Sequence, residues 1–206
     1  ANDSGSSVKF VNSGAISELH LSDSLNNIIL GEDAGNLTLT GTSNVVVGVD
    51  AATAFQSASD NVVLGFQAMQ NAVDASDCVA IGFSSLQNAV SLNVNSTVAI
   101  GSQSCQDMDS GNDNVCVGYQ SFFSATNAGS TTAIGYRSLA FNNGSFNTAI
   151  GNNAGLNYTG TESNNIVIGN TGVLAESNTI RIGSSQTRCF LAGVIGNSVT
   201  GSFVNI

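Results

Sequence analysis

The 206-residue chain contains no proline and no tryptophan, one histidine, His20, and only four lysines and arginines against fourteen acidic residues. Each shortage excludes something. Every internal proline would remove a donor from a ladder of paired strands, so a chain without proline suits long, uninterrupted backbone hydrogen bonding. A nucleic-acid partner needs a stripe of cations to neutralise phosphates, and four scattered ones at a net charge of -10 cannot form it. An anionic membrane surface is excluded on the same ground. No apolar run approaches the roughly 18 residues of a transmembrane helix, so this fragment is not expected to insert into a membrane. Nothing resembles a signal peptide, and the chain is expected to be a piece cut from a longer protein. With a single histidine, a Ser-His-Asp or Cys-His site is restricted to the N-terminal stretch, where His20 alternates with Leu19 and Leu21 as a solvent-facing strand residue would.

What is abundant is repeated. NNIILG ends at Gly31, NVVVG at Gly48, NVVLG at Gly65, CVAIG at Gly82, TVAIG at Gly101, NVCVG at Gly118, TTAIG at Gly135, NTAIG at Gly151, NIVIG at Gly169 and NTIRIG at Gly183. The intervals are 17, 17, 17, 19, 17, 17, 16, 18 and 14 residues. A fixed period this short means one unit stacked on itself, a solenoid. The reading is an all-β, parallel β-roll or β-solenoid with about 17-residue coils over residues 26–183. An N-terminal cap or junction occupies residues 1–25 and a C-terminal transition module 184–206. At about 4.8 Å per coil the rod would be roughly 45–50 Å long.

Within each strand the residues three and one before the glycine share a face, and these branched aliphatic pairs are expected to line the inside of the coil. The residue between them would then point outward: Ile29, Val46, Val63, Ala80, Ala99, Cys116, Ala133, Ala149 and Val167. So long an apolar stripe needs cover, and the economical cover is a second copy of the chain, in a cyclic trimer or a dimer. Val46, Val63, Ala80, Ala99, Cys116, Ala133, Ala149 and Val167 are therefore expected to form the subunit interface. Four residues after the glycine, Ala52, Met69, Leu86, Cys105, Phe122 and Leu139 are expected to close the core from the second side. Four before it, Asn27, Asn44, Asn61, Asn114, Asn147 and Asn165 are placed to bond the turn and to form a ladder from coil to coil.

Chemistry-bearing constellations are thin. Asp60, Asp77 and Asp113 share the turn position five before the glycine, where capping explains them better than paired-carboxylate catalysis. Asp107, Asp109 and Asp113 surround Gly111 in an acidic loop that has part of a calcium ligand pattern and reads more simply as a solvated turn. No catalytic, cofactor or metal residue is assigned. Cys78, Cys105, Cys116 and Cys189 fall in different registers of the repeat and are expected to stay unpaired. The sequons at Asn36, Asn95, Asn143 and Asn157 carry little weight in so Asn-rich a chain, and Thr38 and Thr40 do not continue into an ice-binding array. Phe66, Phe83, Tyr119 and Tyr136, one after the glycine, form a candidate surface row for carbohydrate or protein contact, or pack over the coil edge.

SDCVAIG, NSTVAIG and FNTAIG resemble the head repeats of trimeric autotransporter adhesins. The continuations GYQSF, GYRSL and GFSSL are similar still more to fibre proteins of phages, large viruses and some bacteria, in which a stretch like NTIRIGSSQTRCFLAGVIG commonly precedes an endosialidase-type chaperone. The resemblance spans about residues 26–206. It implies left-handed rolls assembled as an intertwined or side-by-side homotrimer. It also implies an extracellular, non-enzymatic fibre, on a cell surface or virion, that attaches to a host or prey cell through a surface glycan or protein. The competing implication is a purely structural shaft that carries a separate receptor-binding tip.

Overall fold

A computed structural model describes residues 23–36, 38–90 and 94–190. Ten three-residue strands follow one another: β1 (Ile28–Leu30), β2 (Val45–Val47), β3 (Val62–Leu64), β4 (Val79–Ile81), β5 (Val98–Ile100), β6 (Val115–Val117), β7 (Thr132–Ile134), β8 (Thr148–Ile150), β9 (Ile166–Ile168) and β10 (Ile180–Ile182). They form one parallel sheet in sequence order, each pairing with the next so that equivalent repeat positions lie side by side. The chain is a β-solenoid of about 17-residue coils, and the described residues contain no helix.

The strands are short because each coil must turn almost at once. In the coil around β3, Asp60, Gln67 and Met69 take left-handed φ values of 59°, 57° and 48°, and Gly65 follows the strand at φ 140°. The same pattern recurs in coil after coil, and neighbouring backbones hold it in place. Gly65 N–H donates back to Val47 C=O at 2.9 Å, whereas Met69 N–H donates forward to Ser85 C=O at 2.9 Å. Turns that would strain an isolated chain are thus over-determined by the stack.

The inside of the coil corrects the expected interface. Val46, Val63, Ala80, Ala99, Cys116, Ala133, Ala149 and Val167 are completely buried within one chain and belong to its hydrophobic core. They point inward and cannot be a subunit contact. The aliphatic pairs that flank them, expected inside, face outward and are half-buried or exposed. Size contributes. From β2 to β9 the thin coil takes only Ala, Val or Cys opposite the second wall, whereas every Leu and most of the Ile side chains of the strands are turned out, along with Val and Thr.

That second wall is where it was expected. Ala52, Met69, Leu86, Cys105, Phe122 and Leu139 are all fully buried. Three residues further on, Phe55, Ala72, Ala89, Met108, Ala125 and Asn142 are buried too, and the two positions compensate in size. Ala52 stands with Phe55 and Cys105 with Met108, whereas Met69, Leu86 and Phe122 each stand with an alanine. At Gly155 a Cβ would lie 2.5 Å from Leu139 Cδ2, and its large companion is the buried Tyr158. Constant filling of a fixed cross-section is what close packing demands.

The asparagine ladder is present and buried. Asn44 and Asn61 each donate to the Oδ1 of the preceding asparagine at 2.9 Å, and to Ala58 and Ala75 carbonyls at 2.8 Å. Asn61 Oδ1 also accepts the Cys78 N–H at 3.0 Å. Asn61→Ala is expected to orphan groups on both neighbouring coils at about 1–3 kcal/mol each. A urea titration should show a clearly lower midpoint with little change in slope.

Candidate functional site: the outer face and its aromatic edge

Because the middle residue of each strand points inward, its two neighbours build the outer face of the sheet. One rank runs Ile28, Val45, Val62, Val79, Val98, Val115, Thr132, Thr148, Ile166, Ile180; the other runs Leu30, Val47, Leu64, Ile81, Ile100, Val117, Ile134, Ile150, Ile168, Ile182. Neither rank holds a charge. Over nine coil steps the face extends about 43 Å. Its members are substantially open, with Ile134 37% and Ile150 39% exposed. Charged side chains normally dilute such a surface in a monomer; here only the hydroxyls of Thr132 and Thr148 interrupt it.

The residue after the glycine forms the edge of this face. Phe66, Phe83, Tyr119 and Tyr136 are between 44% and 46% exposed. They are not one continuous row. Phe66 stacks on Phe83 with centroids 5.8 Å apart, and Tyr119 on Tyr136 at 5.6 Å, with Ser102 in the coil between the two pairs. Next to the tyrosines the Arg137 guanidinium lies 5.3 Å from the centre of the Phe141 ring.

The other sequence candidates are dispersed. Asp107 accepts from Asn88 Nδ2 at 2.8 Å and from Ser124 Oγ at 3.4 Å, and Asp113 takes a left-handed turn at φ 61°. Among the described residues no three His, Cys, Asp or Glu side chains converge as a metal site would require. Asp60 and Asp77 occupy the same left-handed turn position as Asp113. The sequon asparagines serve local structure: Asn36, Asn95 and Asn143 accept backbone N–H groups, and Asn157 donates to Thr171 and Gly172. His20, residues 1–22 of the expected cap and residues 191–206 of the expected transition module lie outside the described residues. No helix among the described residues is long and apolar enough to cross a membrane.

The cysteines need a second correction. Cys105 and Cys116 are joined by a disulfide, with Cα atoms 6.1 Å apart. The cause is the corrected register: Cys116 points into the coil, where Cys105 stands on the facing wall. Cys78 and Cys189 are free, and burial pushes the Cys78 thiol up to about 11.

The core ends in charge. In β10 the inward position is Arg181, which binds Glu176 through two contacts, Nε to Oε2 at 2.6 Å and Nη2 to Oε1 at 2.7 Å. The arginine holds the Glu176 carboxyl below its usual range. Tyr158, fully buried, donates to Glu176 at 3.3 Å, and burial together with that carboxylate raises its hydroxyl to about 12. Glu162 is also buried. Desolvation pushes its carboxyl up, but the N–H groups of Ala175 and Gly160 and the Asn142 amide outweigh this and leave it lowered. Arg181, Glu176 and Tyr158 are bound to one another as an end plug to the apolar column, and Glu162 is held separately by backbone N–H groups and Asn142.

The chain matches no protein-family model, no curated protein and no solved structure.

Proposed function

We propose that the chain is a non-enzymatic segment of an extracellular homotrimeric fibre, borne on a cell surface or virion, that attaches to a host or prey cell through a surface glycan or protein. The observation that carries this reading is the uncharged, mostly aliphatic face along the ten strands, placed beside a core that each chain already closes for itself. A flat, repetitive face of this kind is suited to an elongated self-association. Three rolls turned towards a common axis would bury it in a closed arrangement and leave no free copy of the face. The resemblance of the repeats to adhesin heads and virion fibres favours three copies over two, and left-handed coils with them. The acidic surface does not suit nucleic acid as a partner.

A second reading, the stiff spacer, draws on the backbone. Successive glycines lie so close that a Cβ on Gly48 would be 2.3 Å from the Gly65 carbonyl oxygen, a stack with little room to bend. Both readings share the trimer. Sedimentation equilibrium at micromolar concentration should give three times the 20.8 kDa chain mass. A well-folded single chain would sink the fibre altogether. Binding of the labelled fragment to whole cells separates attachment from spacing.

A further inference from the structure

We propose that the gap over Ser102 is a slot for one neutral pyranose ring, gripped between the rings of Phe83 and Tyr119. The inference rests on the chain being a recognition fibre rather than a spacer. Coils four to six are in register at this edge: Gln103 N–H donates to Phe83 C=O at 2.7 Å and Gln120 N–H to Ser102 C=O at 3.0 Å. Phe83, Ser102 and Tyr119 are therefore equivalent residues one coil apart. Phe66 and Phe83 stack with planes 15° apart, and Tyr119 and Tyr136 with planes 17° apart. Each of these rings is stacked only on its outer neighbour, so Phe83 and Tyr119 flank the small serine with no ring between them.

The width selects the guest. Two coil rises of about 4.8 Å set the two rings about 10 Å apart along the rod. Carbon contacts of ~3.5–4.0 Å on each side leave about 2 Å for the guest itself. A puckered saturated ring with axial C–H groups on both sides fills that thickness; a flat aromatic or peptide group touches one face and leaves the other bare. Ser102 supplies a part-exposed hydroxyl at the floor, and Gln103 and Gln120, which follow Ser102 and Tyr119, join their amides at 3.1 Å. The charge selects too. Among the described residues no cation lines the gap, Arg137 is two coils away over Phe141, and a net charge of -10 repels polyanions. What fits is a neutral hexose unit, bound weakly in each chain and strengthened by repetition along the fibre.

The experiment is saturation-transfer NMR on the full chain with methyl α-mannoside, methyl β-glucoside and methyl β-galactoside as probes. At least one should receive saturation. Ser102→Tyr completes the aromatic stack with a residue that the equivalent position already carries, so it preserves the fold, and it should cut the signal at least tenfold. Phe83→Ala and Tyr119→Ala should each weaken it severalfold, and Phe66→Ala should not. Silence towards all three glycosides, or binding indifferent to Ser102→Tyr, overturns the slot. So does a change in sedimenting mass on Ser102→Tyr, which would show the gap filled by a neighbouring protomer. Cell attachment and glycoside signal that both survive Ser102→Tyr remove the slot and leave the recognition fibre standing; glycoside binding without cell attachment supports the slot and removes the attachment role.

Discussion

Gly118→Val is expected to abolish the folded rod, whereas Gly169→Ala should leave it folded and about 1–2 kcal/mol less stable. Gly118 has φ 128°, a region that a β-branched residue does not occupy, and a Cβ there would lie 2.6 Å from the Gly135 carbonyl oxygen. The obstruction is backbone of the next coil, so no side chain can swing aside. Moving the two coils apart would break the bond from Gly135 N–H to Val117 C=O at 2.7 Å and would open the core between them. Strain, clash and lost pairing together exceed about 4 kcal/mol, beyond what ordinary single substitutions cost. Gly169 shares the positive φ, at 59°, but a Cβ would meet nothing within 4 Å. Circular dichroism melts of the two variants separate the close approach from the backbone conformation. Equal melting temperatures would show that coil spacing is not held at the glycines.

The coil length, the ten strands with their bounds, the asparagine ladder and the second wall of the core were all legible in the repeat, because each depends on period and residue type alone. Which face of the strand is inside was not. Alternation says that Ile28 and Leu30 share a side and that Ile29 takes the other; it names the inner side only when one of them is polar. Here both are apolar in nearly every coil, so polarity carries no information and volume carries it all. Between Ile29 and Arg181 at the two ends, the middle position runs through Val, Ala and Cys and never holds Leu, Phe or Met, as a position pressed against Met69, Leu86 or Phe122 must. The Cys105–Cys116 bond was hidden by the same inversion. With Cys116 placed outside, no partner lay within reach; with it inside, the facing wall offers one. Likewise the aromatic row reads as continuous from its spacing only if the interruption at Ser102 is overlooked. The gap, more than the rings, gives that edge its shape.

Ala133→Glu and Ile134→Glu, one residue apart, are expected to fail in different ways. Ala133 is fully buried between Cys116 and Ala149, and a carboxylate there has neither volume nor partner. Overpacking costs about 1–3 kcal/mol and an unpaired buried ion several more, so the chain should show no cooperative transition at any concentration. Ile134 stands on the outer face between Val117 and Ile150 and is 37% exposed. In a single roll the new carboxylate reaches water, and the core beneath it is untouched. In a trimer three such carboxylates would meet near the shared axis, desolvated and mutually repelling. Ile134→Glu should therefore keep the β-sheet circular dichroism of the parent but sediment as a smaller species, with a melting temperature that no longer rises with protein concentration. If Ala133→Glu folds, the assignment of inside and outside is wrong. If Ile134→Glu keeps the parent's mass, the aliphatic ranks are not where the copies meet. The two results are independent, because one chain closes the walls of the coil by itself and the outer face takes no part in that closure.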